Sequence, residues 1–244
     1  IMNTVGTETC IGIPKNIGHI WIGPRSAPEE WFESWKQHHP EWSYTRYDND
    51  FLASFPFRNR NLIDEYVKCG QFAGAADLMR YEILYEFGGF IPEADTFCVA
   101  NTEELFSEAK AYTVYENEKV RPGLVSPILA CERKNGFVGV LIEELSLLSP
   151  YEIGQPWKTT GNRFVAQMIQ KYKPDLTIFP SYYFIPEHFT GETYRGKGKV
   201  YCHQMFGTTT NAYNKGSFLQ EIKISLGKLR GAVLRRLFKN KLLR

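Results

Sequence analysis

Two carboxylates spaced two residues apart form the most chemically informative pattern in this sequence. Glu93 and Asp95 follow directly after the β-forming pair Phe90-Ile91. In an extended chain, residues two apart project to the same face, so both carboxylates would point together. Carboxylate oxygens suit Mg²⁺ or Mn²⁺, and such an ion can neutralise the charge of a departing diphosphate. The pattern therefore predicts a divalent-cation site.

A second acidic residue and a basic residue lie shortly before this pair. The stretch 73–87 has a helical apolar side and ends at Gly88-Gly89, a usual helix stop. Asp77 and Arg80 are three apart and so share a helix face. Taken alone, such a pair is usually a weak surface ion pair, and an acid-x-acid triplet is usually a solvated loop. Their combination in this order is more specific than either part.

The combined pattern resembles glycosyltransferase family 32, the DXD-motif sugar transferases, which include bacterial capsule and O-antigen enzymes. More distantly it is similar to the catalytic domains of clostridial glucosylating toxins. The resemblance covers roughly residues 12–210 and implies an α/β fold of the GT-A type, a Rossmann-like nucleotide-binding sheet flanked by helices. It is carried by Ala75–Tyr81, Gly88-Gly89, Glu93-Ala94-Asp95, Ile13–Gly23, Thr159-Thr160-Gly161, Tyr182–Pro186 and Tyr201-Cys202-His203.

The resemblance implies a donor-binding role for four residues. Trp21 and Ile22 would border the nucleotide base, although a tryptophan at a strand end is equally well explained as a core or rim residue. Asp77 would hold hydroxyls of the donor sugar or ribose. Arg80 would contact the sugar or the diphosphate, because a planar guanidinium suits pairs of oxygens.

The resemblance also implies the metal ligands. Glu93 and Asp95 would bind Mn²⁺ or Mg²⁺, and His203 would complete the shell, although a structural histidine explains His203 as well. With Asp77 and Arg80, Asp95 would make up the catalytic set. The family motif usually begins with Asp, whereas this chain has Glu93, which keeps the charge on a longer arm.

The function implied is that of a metal-dependent retaining hexosyltransferase that uses a nucleotide-sugar, UDP-sugar in preference to GDP-sugar. The acceptor would be a glycan or a lipid-linked carbohydrate. Two alternatives stay open at this point. Because Glu93 replaces the usual Asp, the chain could be a catalytically degenerate sugar-nucleotide binding protein. It could also be a toxin-like enzyme that glycosylates a protein, although the small body without a delivery domain argues against this.

The elements that must position these residues follow an alternating pattern. A strand at 17–22, a helix at 29–38 and a strand at 42–47 predict a βαβ unit with a parallel sheet. His19 is assigned to the core. A strand follows the acidic pair at 96–99. The less periodic second half predicts strands at 124–130, at 178–185 with an interruption at Pro180, and at 200–203, and helices at 136–148 and 163–171.

Composition limits the classes of function. The chain has 244 residues, 43% of them hydrophobic, and a net charge of +2, so nucleic acid is not an expected partner. Five widely spaced cysteines include no C-x-x-C pair, which predicts reduced thiols in the cytoplasm rather than a zinc or disulfide framework. We expect neither a signal peptide nor a membrane-spanning helix in this sequence.

The last 23 residues differ from the rest of the chain. We predict a glycosyltransferase domain over 1–221 and a basic amphipathic helix over 222–244. This helix would bind the enzyme peripherally to the anionic inner face of a membrane. A lipid-linked acceptor would lie nearby. An ordinary packed helix or a partner-binding tail is the alternative. The basic residues are Lys223, Lys228, Arg230, Arg235, Arg236, Lys239, Lys241 and Arg244.

Deletion of residues 222–244 is expected to abolish binding to anionic vesicles. Each basic residue near an anionic leaflet contributes roughly 1 kcal/mol, so the loss should be large in co-sedimentation with phosphatidylserine-containing vesicles. Neutral phosphatidylcholine vesicles are the control. Unchanged binding of the truncated chain to the anionic vesicles would exclude the anchor.

Overall fold

The computed structural model describes residues 12–210 and 212–214. The chain divides into two units after residue 205, and residues 12–205 are the described part of the first. The sheet, its helices and the predicted site residues belong to the first unit. The predicted boundary after residue 221 and the predicted helix 222–244 lie outside the described residues and stay predictions. Within the described residues, no helix has the length and apolar composition needed to cross a membrane.

The first unit contains seven α-helices and nine short strands in its described part. The helices are α1 (Glu29–His38), α2 (Asn49–Ser54), α3 (Arg60–Lys68), α4 (Phe72–Phe87), α5 (Gly136–Ser146), α6 (Pro156–Thr159) and α7 (Asn162–Tyr172). The strands are β1 (Asn16–Ile20), β2 (Ser43–Tyr47), β3 (Gly89–Phe90), β4 (Thr96–Cys98), β5 (Ala111–Asn117), β6 (Arg121–Val125), β7 (Ala130–Cys131), β8 (Leu176–Phe179) and β9 (Cys202–Gln204).

Seven of these strands form one mixed sheet in the described part of the chain. Its order is β2-β1-β3-β7-β5-β6, and β8 pairs with β5. The β1–β2, β1–β3 and β5–β8 pairs are parallel, whereas β7 is antiparallel to both β3 and β5. The strands β1, β2, β3, β5 and β8 therefore run in one direction, and their carboxyl ends meet at one edge. A separate antiparallel pair joins β4 to β9.

Helices α1 and α4 cover opposite faces of the sheet. In β1 the ring of His19 stacks on Phe32 of α1 at 4.3 Å, whereas the next residue, Ile20, belongs to the same apolar cluster as Leu78 of α4. Successive strand residues point to opposite faces. Helix α4 is apolar around most of its circumference and is buried between its neighbours, as expected for such a pattern.

Most of the predicted helices and the βαβ unit are confirmed. Helix α1 has the predicted bounds 29–38, and α4, α5 and α7 match their predictions within one or two residues at each end. The parallel β1–β2 pairing confirms the βαβ unit. His19 is fully buried, as predicted.

Three predictions in the strands are wrong in detail. The strand predicted over 17–22 ends at Ile20, which leaves Trp21 and Ile22 in the loop beyond it. The strand predicted over 124–130 is two short strands, β6 and β7, interrupted at residues 126–129 along one edge of β5. The strand predicted over 178–185 stops at Pro180, where an interruption is expected, but it begins at Leu176 and does not resume. Pro180 has no N–H to donate, and a 3₁₀ turn follows it.

Substitution of Gly89 by Ala is expected to destabilise the fold, because β3 passes close to β1. Gly89 has φ +95°, and a Cβ there would lie 2.6 Å from the carbonyl oxygen of Asn16. Gly191 has φ +97° and no atom within 4 Å of its Cβ position, so Gly191→Ala is the matched control. Both changes introduce backbone strain of about 1–3 kcal/mol. Gly89→Ala should lower the free energy of unfolding, measured in urea, by more than Gly191→Ala does. Equal losses would contradict the close approach of β1.

Candidate functional site

The candidate site lies at the edge where the carboxyl ends of the codirectional strands meet. Loops leave this edge after Ile20 of β1, after Phe90 of β3 and after Asn117 of β5. Helix α4 turns back into β3 through Gly88-Gly89, so its first turns, which carry Asp77, lie toward the same edge. Open α/β sheets bind their ligands in this place. The fold therefore brings Asp77 and the 93–95 segment together.

Arg80 is buried in the middle of this site. Its side chain is 5% exposed, and its Nη2 lies 3.1 Å from Oε1 of Glu93. Its Nη1 donates hydrogen bonds to the carbonyl oxygens of Ile91 and of Ile128, the latter at 3.5 Å. A buried guanidinium requires a counter-charge and acceptors, and Arg80 finds both in the loop after β3. Arg80 therefore fixes the acidic segment to α4 and to residue 128.

Asp77 is held from the second half of the chain. Oγ1 of Thr160 donates a hydrogen bond of 2.9 Å to Oδ2 of Asp77, and the hydroxyl of Tyr81 donates one of 2.6 Å to the carbonyl oxygen of Thr160. Burial, followed by the charge of Glu93, raises the pKa of Asp77 to about 7, against the opposing effects of Arg80 and Thr160. Asp77 is therefore a carboxyl group that titrates near neutral pH.

The acidic segment is a turn, so the predicted extended geometry is wrong. Residues 94 and 95 are in a turn, and Oγ1 of Thr96 donates a 2.6 Å hydrogen bond to the carbonyl oxygen of Glu93. Glu93 faces Arg80, whereas Oδ1 of Asp95 accepts a 2.6 Å hydrogen bond from Nε2 of Gln204. The charges of both carboxylates nevertheless act on one neighbour, the Cys202 thiol. Burial first, and the charges of Cys98, Asp95 and Glu93 after it, raise the pKa of the Cys202 thiol.

The predicted third metal ligand does not join these carboxylates in the structure. His203 lies on β9 opposite Phe97, and its Nδ1 is 3.7 Å from Oε2 of Glu187. Over the described residues, no group of three or more His, Cys, Asp or Glu side chains is placed to hold a metal ion. The metal-binding roles of Glu93, Asp95 and His203 stay predictions.

The predicted base-binding residues follow β1 at the same edge. Trp21 is half-buried, and its Nε1 donates a 2.8 Å hydrogen bond to the carbonyl oxygen of Arg25. Ile22 is 7% exposed and its side chain belongs to the core cluster. Gly23, with φ +93°, exchanges two hydrogen bonds with the side chain of Asn49. The loop is thus anchored, and Trp21 and Gly23 are its candidates for ligand contact.

Sequence reasoning missed a second polar cluster at this edge, built around Glu116 near the end of β5. Its carboxylate, 8% exposed, accepts hydrogen bonds from Nδ2 of Asn162 at 3.0 Å and Nε2 of His188 at 3.2 Å. Nη1 of Arg121 lies 3.1 Å from it. The available signal was an acid within the β-forming run 111–117, but its partners are 5 to 72 residues away along the chain.

A cavity of about 730 Å³ lies toward the opposite end of α4. Its lining includes Phe55, Tyr85, Phe87 and Glu143. None of the predicted site residues lines it. The cavity is therefore separate from the candidate site at the sheet edge.

Part of the chain that carries this site is similar to a known protein family. Residues 28–112 match the family described as "Glycosyltransferase sugar-binding region containing DXD motif", and these residues include Asp77, Arg80, Glu93 and Asp95. No curated protein sequence is significantly similar to this chain.

Solved structures similar to this chain include "PaToxG Glycosyltransferase". It has 16% sequence identity and a TM-score of 0.52, over 66% of this chain and 70% of that one. The UDP-bound glycosyltransferase domain of the YGT toxin has 9% identity and a TM-score of 0.49, over 68% of this chain and 79% of that one. The likeness to PaToxG concerns the fold, and it confirms the predicted GT-A architecture.

Substitution of Asp77 by Asn is expected to change how stability depends on pH. Its pKa is about 7 in the folded chain against an ordinary value of 3.8, so the folded state holds an extra proton between these values and loses stability as pH rises through them. The Asn variant lacks this loss. The unfolding free energy of each protein is measured in urea with EDTA present. The value for the Asn variant minus the value for wild type should therefore become more positive as pH rises toward 7.

The matched control for this measurement is Asp64→Asn, since the Asp64 side chain is 64% exposed and contacts Arg60 on the same helix. Its stability curve should run parallel to that of wild type across this pH range. A parallel curve for Asp77→Asn as well would show that the Asp77 carboxyl has an ordinary pKa.

Proposed function

We propose that this DXD-type glycosyltransferase moves a sugar from a UDP-sugar onto a carbohydrate acceptor, with a divalent metal ion at the donor diphosphate. The observation that carries the proposal is the cluster of Asp77, Arg80 and Glu93 within the sugar-binding region, at the carboxyl edge of the sheet. It combines a carboxyl group suited to sugar hydroxyls with an acidic turn suited to a cation. A GDP-sugar is the alternative donor.

The acidic turn fits a divalent ion. Oε1 of Glu93 is buried and accepts no hydrogen bond among the described residues, although Arg80 lies 3.1 Å away. A buried carboxylate oxygen without a donor is costly unless a ligand compensates it. Glu93 and Asp95 are thus the residues that would hold Mn²⁺ or Mg²⁺, which often keep few protein ligands and bind substrate phosphates instead. The ion would supply neutralisation of the charge on the leaving nucleoside diphosphate.

Asp77 is proposed to bind the donor sugar. When ionised, its carboxylate accepts hydrogen bonds from sugar hydroxyls, and the Thr160 hydroxyl at 2.9 Å fixes its orientation. Because its pKa is about 7, the ionised form competes with the protonated form at neutral pH. Transfer should therefore increase as pH rises through this value.

Arg80 is proposed to act as a positioning residue. Its guanidinium already contacts Glu93 and the carbonyl oxygens of Ile91 and Ile128. Direct contact with the diphosphate, which the sequence resemblance implies, would compete with these bonds. Its positive charge nevertheless lies beside the carboxylates and so contributes to the field at the diphosphate.

The proposed reaction retains the configuration of the sugar without a protein nucleophile. The acceptor oxygen forms a bond to the anomeric carbon on the side from which the diphosphate leaves. The carbon–oxygen bond to the β-phosphate breaks, and the acceptor proton passes to that phosphate oxygen. This part of the proposal rests on the sequence resemblance alone. Isolation of a covalent sugar–protein adduct would count against it.

The acceptor is proposed to be a glycan or a lipid-linked carbohydrate at the cytoplasmic face of a membrane. The basic segment 222–244 supports this location through its sequence pattern. The likeness to PaToxG concerns the fold and so does not favour a protein acceptor over a glycan. A donor-binding protein without turnover is the second candidate, because Glu93 replaces the usual Asp and its carboxylate faces Arg80.

Substitution of Asp95 by Ala is expected to abolish nucleotide release from the donor. A panel of UDP- and GDP-sugars with Mn²⁺ should show slow hydrolysis of one donor by wild type, and EDTA should stop it. Loss of one metal-binding carboxylate should lower the rate by about 100-fold or more, in line with the removal of one strong electrostatic group from an active site.

The matched control is Asp175→Ala, since that side chain is 90% exposed and is distant in sequence from the acidic turn. It should hydrolyse the donor at the wild-type rate. Metal-dependent nucleotide binding without release from any donor would favour the binding protein. Release that persists in Asp95→Ala and in EDTA would refute the metal-dependent mechanism.

A further inference from the structure

The turn between α6 and α7 connects Asp77 to a second group of side chains. A Cβ added at Gly161 would lie 2.9 Å from Oδ2 of Asp77 and 3.2 Å from Cα of Trp157. The Cα atom of Trp157 therefore lies within about 6 Å of the carboxylate oxygen proposed to hold the donor sugar. A molecule that approaches the donor from this side meets Trp157.

Trp157 presents a surface typical of carbohydrate contact. The residue is 41% exposed, so part of its indole ring faces solvent. Two cations lie at this ring, with Cζ of Arg121 at 5.7 Å and Nζ of Lys158 at 5.2 Å from its centre. An indole provides a flat apolar face with low entropy cost, and flanking cations can bind the polar groups of a sugar that stacks there.

Arg121 is held in place by the Glu116 cluster. Its Nη1 lies 3.1 Å from Oε1 of Glu116, and 39% of the Arg121 side chain stays exposed. The buried Glu116 carboxylate is itself fixed by Asn162, the first residue of α7, and by His188. A guanidinium anchored in this way binds with little further loss of freedom.

The two cations at the Trp157 ring differ in whether a carboxylate pairs with them. The charge of Arg121 is balanced by Glu116, but Lys158 has no carboxylate within 4 Å among the residues that the structure describes. Lys158 is exposed. An anionic group bound here would interact with the ammonium of Lys158 and with the anchored guanidinium of Arg121. The planar guanidinium suits carboxylate and phosphate oxygens.

We propose that Trp157, Arg121 and Lys158 form an acceptor subsite for a carbohydrate that carries a carboxylate or phosphate group. One sugar ring of the acceptor stacks on Trp157, and its anionic group binds Arg121 and Lys158. This places the neighbouring hydroxyl toward Asp77 and the donor. The inference rests on the proposed function only for the position of the donor, since the subsite itself is built from residues outside the donor cluster.

Binding of small probes tests the subsite without requiring transfer. Methyl glucuronide, glucose 1-phosphate and neutral methyl glucoside can be titrated into the full chain and followed by the backbone and indole ¹H–¹⁵N signals, of which the backbone signals also report on Trp157→Ala. The two anionic probes are expected to bind about 10-fold more tightly than the neutral one, which corresponds to about 1.4 kcal/mol. The ratio between the two anionic probes distinguishes a carboxylate from a phosphate as the preferred group.

Variants assign the effect to residues. Trp157→Ala is expected to lower the affinity for all three probes. Lys158→Gln and Arg121→Gln should remove the preference for the anionic probes. Lys158→Gln should fold normally because Lys158 is exposed, so its result is not confounded by misfolding. Arg121→Gln removes the partner of a buried carboxylate and lacks this safeguard. Tyr151→Ala is the matched control, since Tyr151 is 97% exposed and lies outside the cluster, and it should bind like wild type.

Donor assays on the same proteins separate the two proposals. Anionic probes that bind wild type and Trp157→Ala equally would overturn the subsite, even where donor release is normal. Lys158→Gln and Arg121→Gln could instead raise the KM of the donor and leave probe affinity unchanged. That result would assign both cations to the donor phosphates and would also overturn the subsite. Probe binding that depends on Trp157, in a chain that releases nucleotide from no donor, would support the subsite while the proposed function fails.

Discussion

The site depends on one buried charge, the guanidinium of Arg80. A buried cation is tolerated only where a counter-charge and hydrogen-bond acceptors surround it. Arg80 meets this requirement with Glu93 and with carbonyl oxygens of the loop after β3 and of the break between β6 and β7. The loop after β3 and the break between β6 and β7 must therefore pack against α4 where Arg80 can reach them. The requirement of one side chain thus sets where the acidic turn is held, and the chemistry at that turn follows from this position.

The Asp77 carboxyl joins the two halves of the chain at the same place. Its partner Thr160 belongs to the α6–α7 corner, which also carries Trp157 and leads to Asn162. Asn162 in turn contacts Glu116 at the end of β5. Hydrogen bonds and the short backbone segment 160–162 thus connect the proposed donor site to the proposed acceptor subsite. The two hydrogen bonds, of 2.9 and 3.0 Å, are partly buried, so both subsites share one support.

The acidic pair shows how a local bond can override a simple pattern. An acid-x-acid triplet after a β-forming pair favours an extended chain with both carboxylates on one face. In the structure, the Thr96 hydroxyl bonds to the carbonyl oxygen of Glu93 and closes a turn. Glu93 then points to Arg80 and Asp95 to Gln204. The two carboxylates are thus held by different partners. His203, bound to a neighbouring strand, faces Glu187 instead.

The sequence by itself determined the parts of this protein that depend on neighbours along the chain. The βαβ unit, the bounds of α1 and α4, the Gly88-Gly89 stop and the order of Asp77, Arg80, Glu93 and Asp95 follow from local periodicity and spacing, and the motif identified the class of enzyme. Only the tertiary structure decided which atoms these residues contact. The break between β6 and β7, the bond from Thr160 to Asp77 and the cluster at Glu116 depend on strand pairing and packing between residues tens of positions apart. Local sequence pattern carries no information on such contacts, because their free energy arises only when the distant segments are brought together.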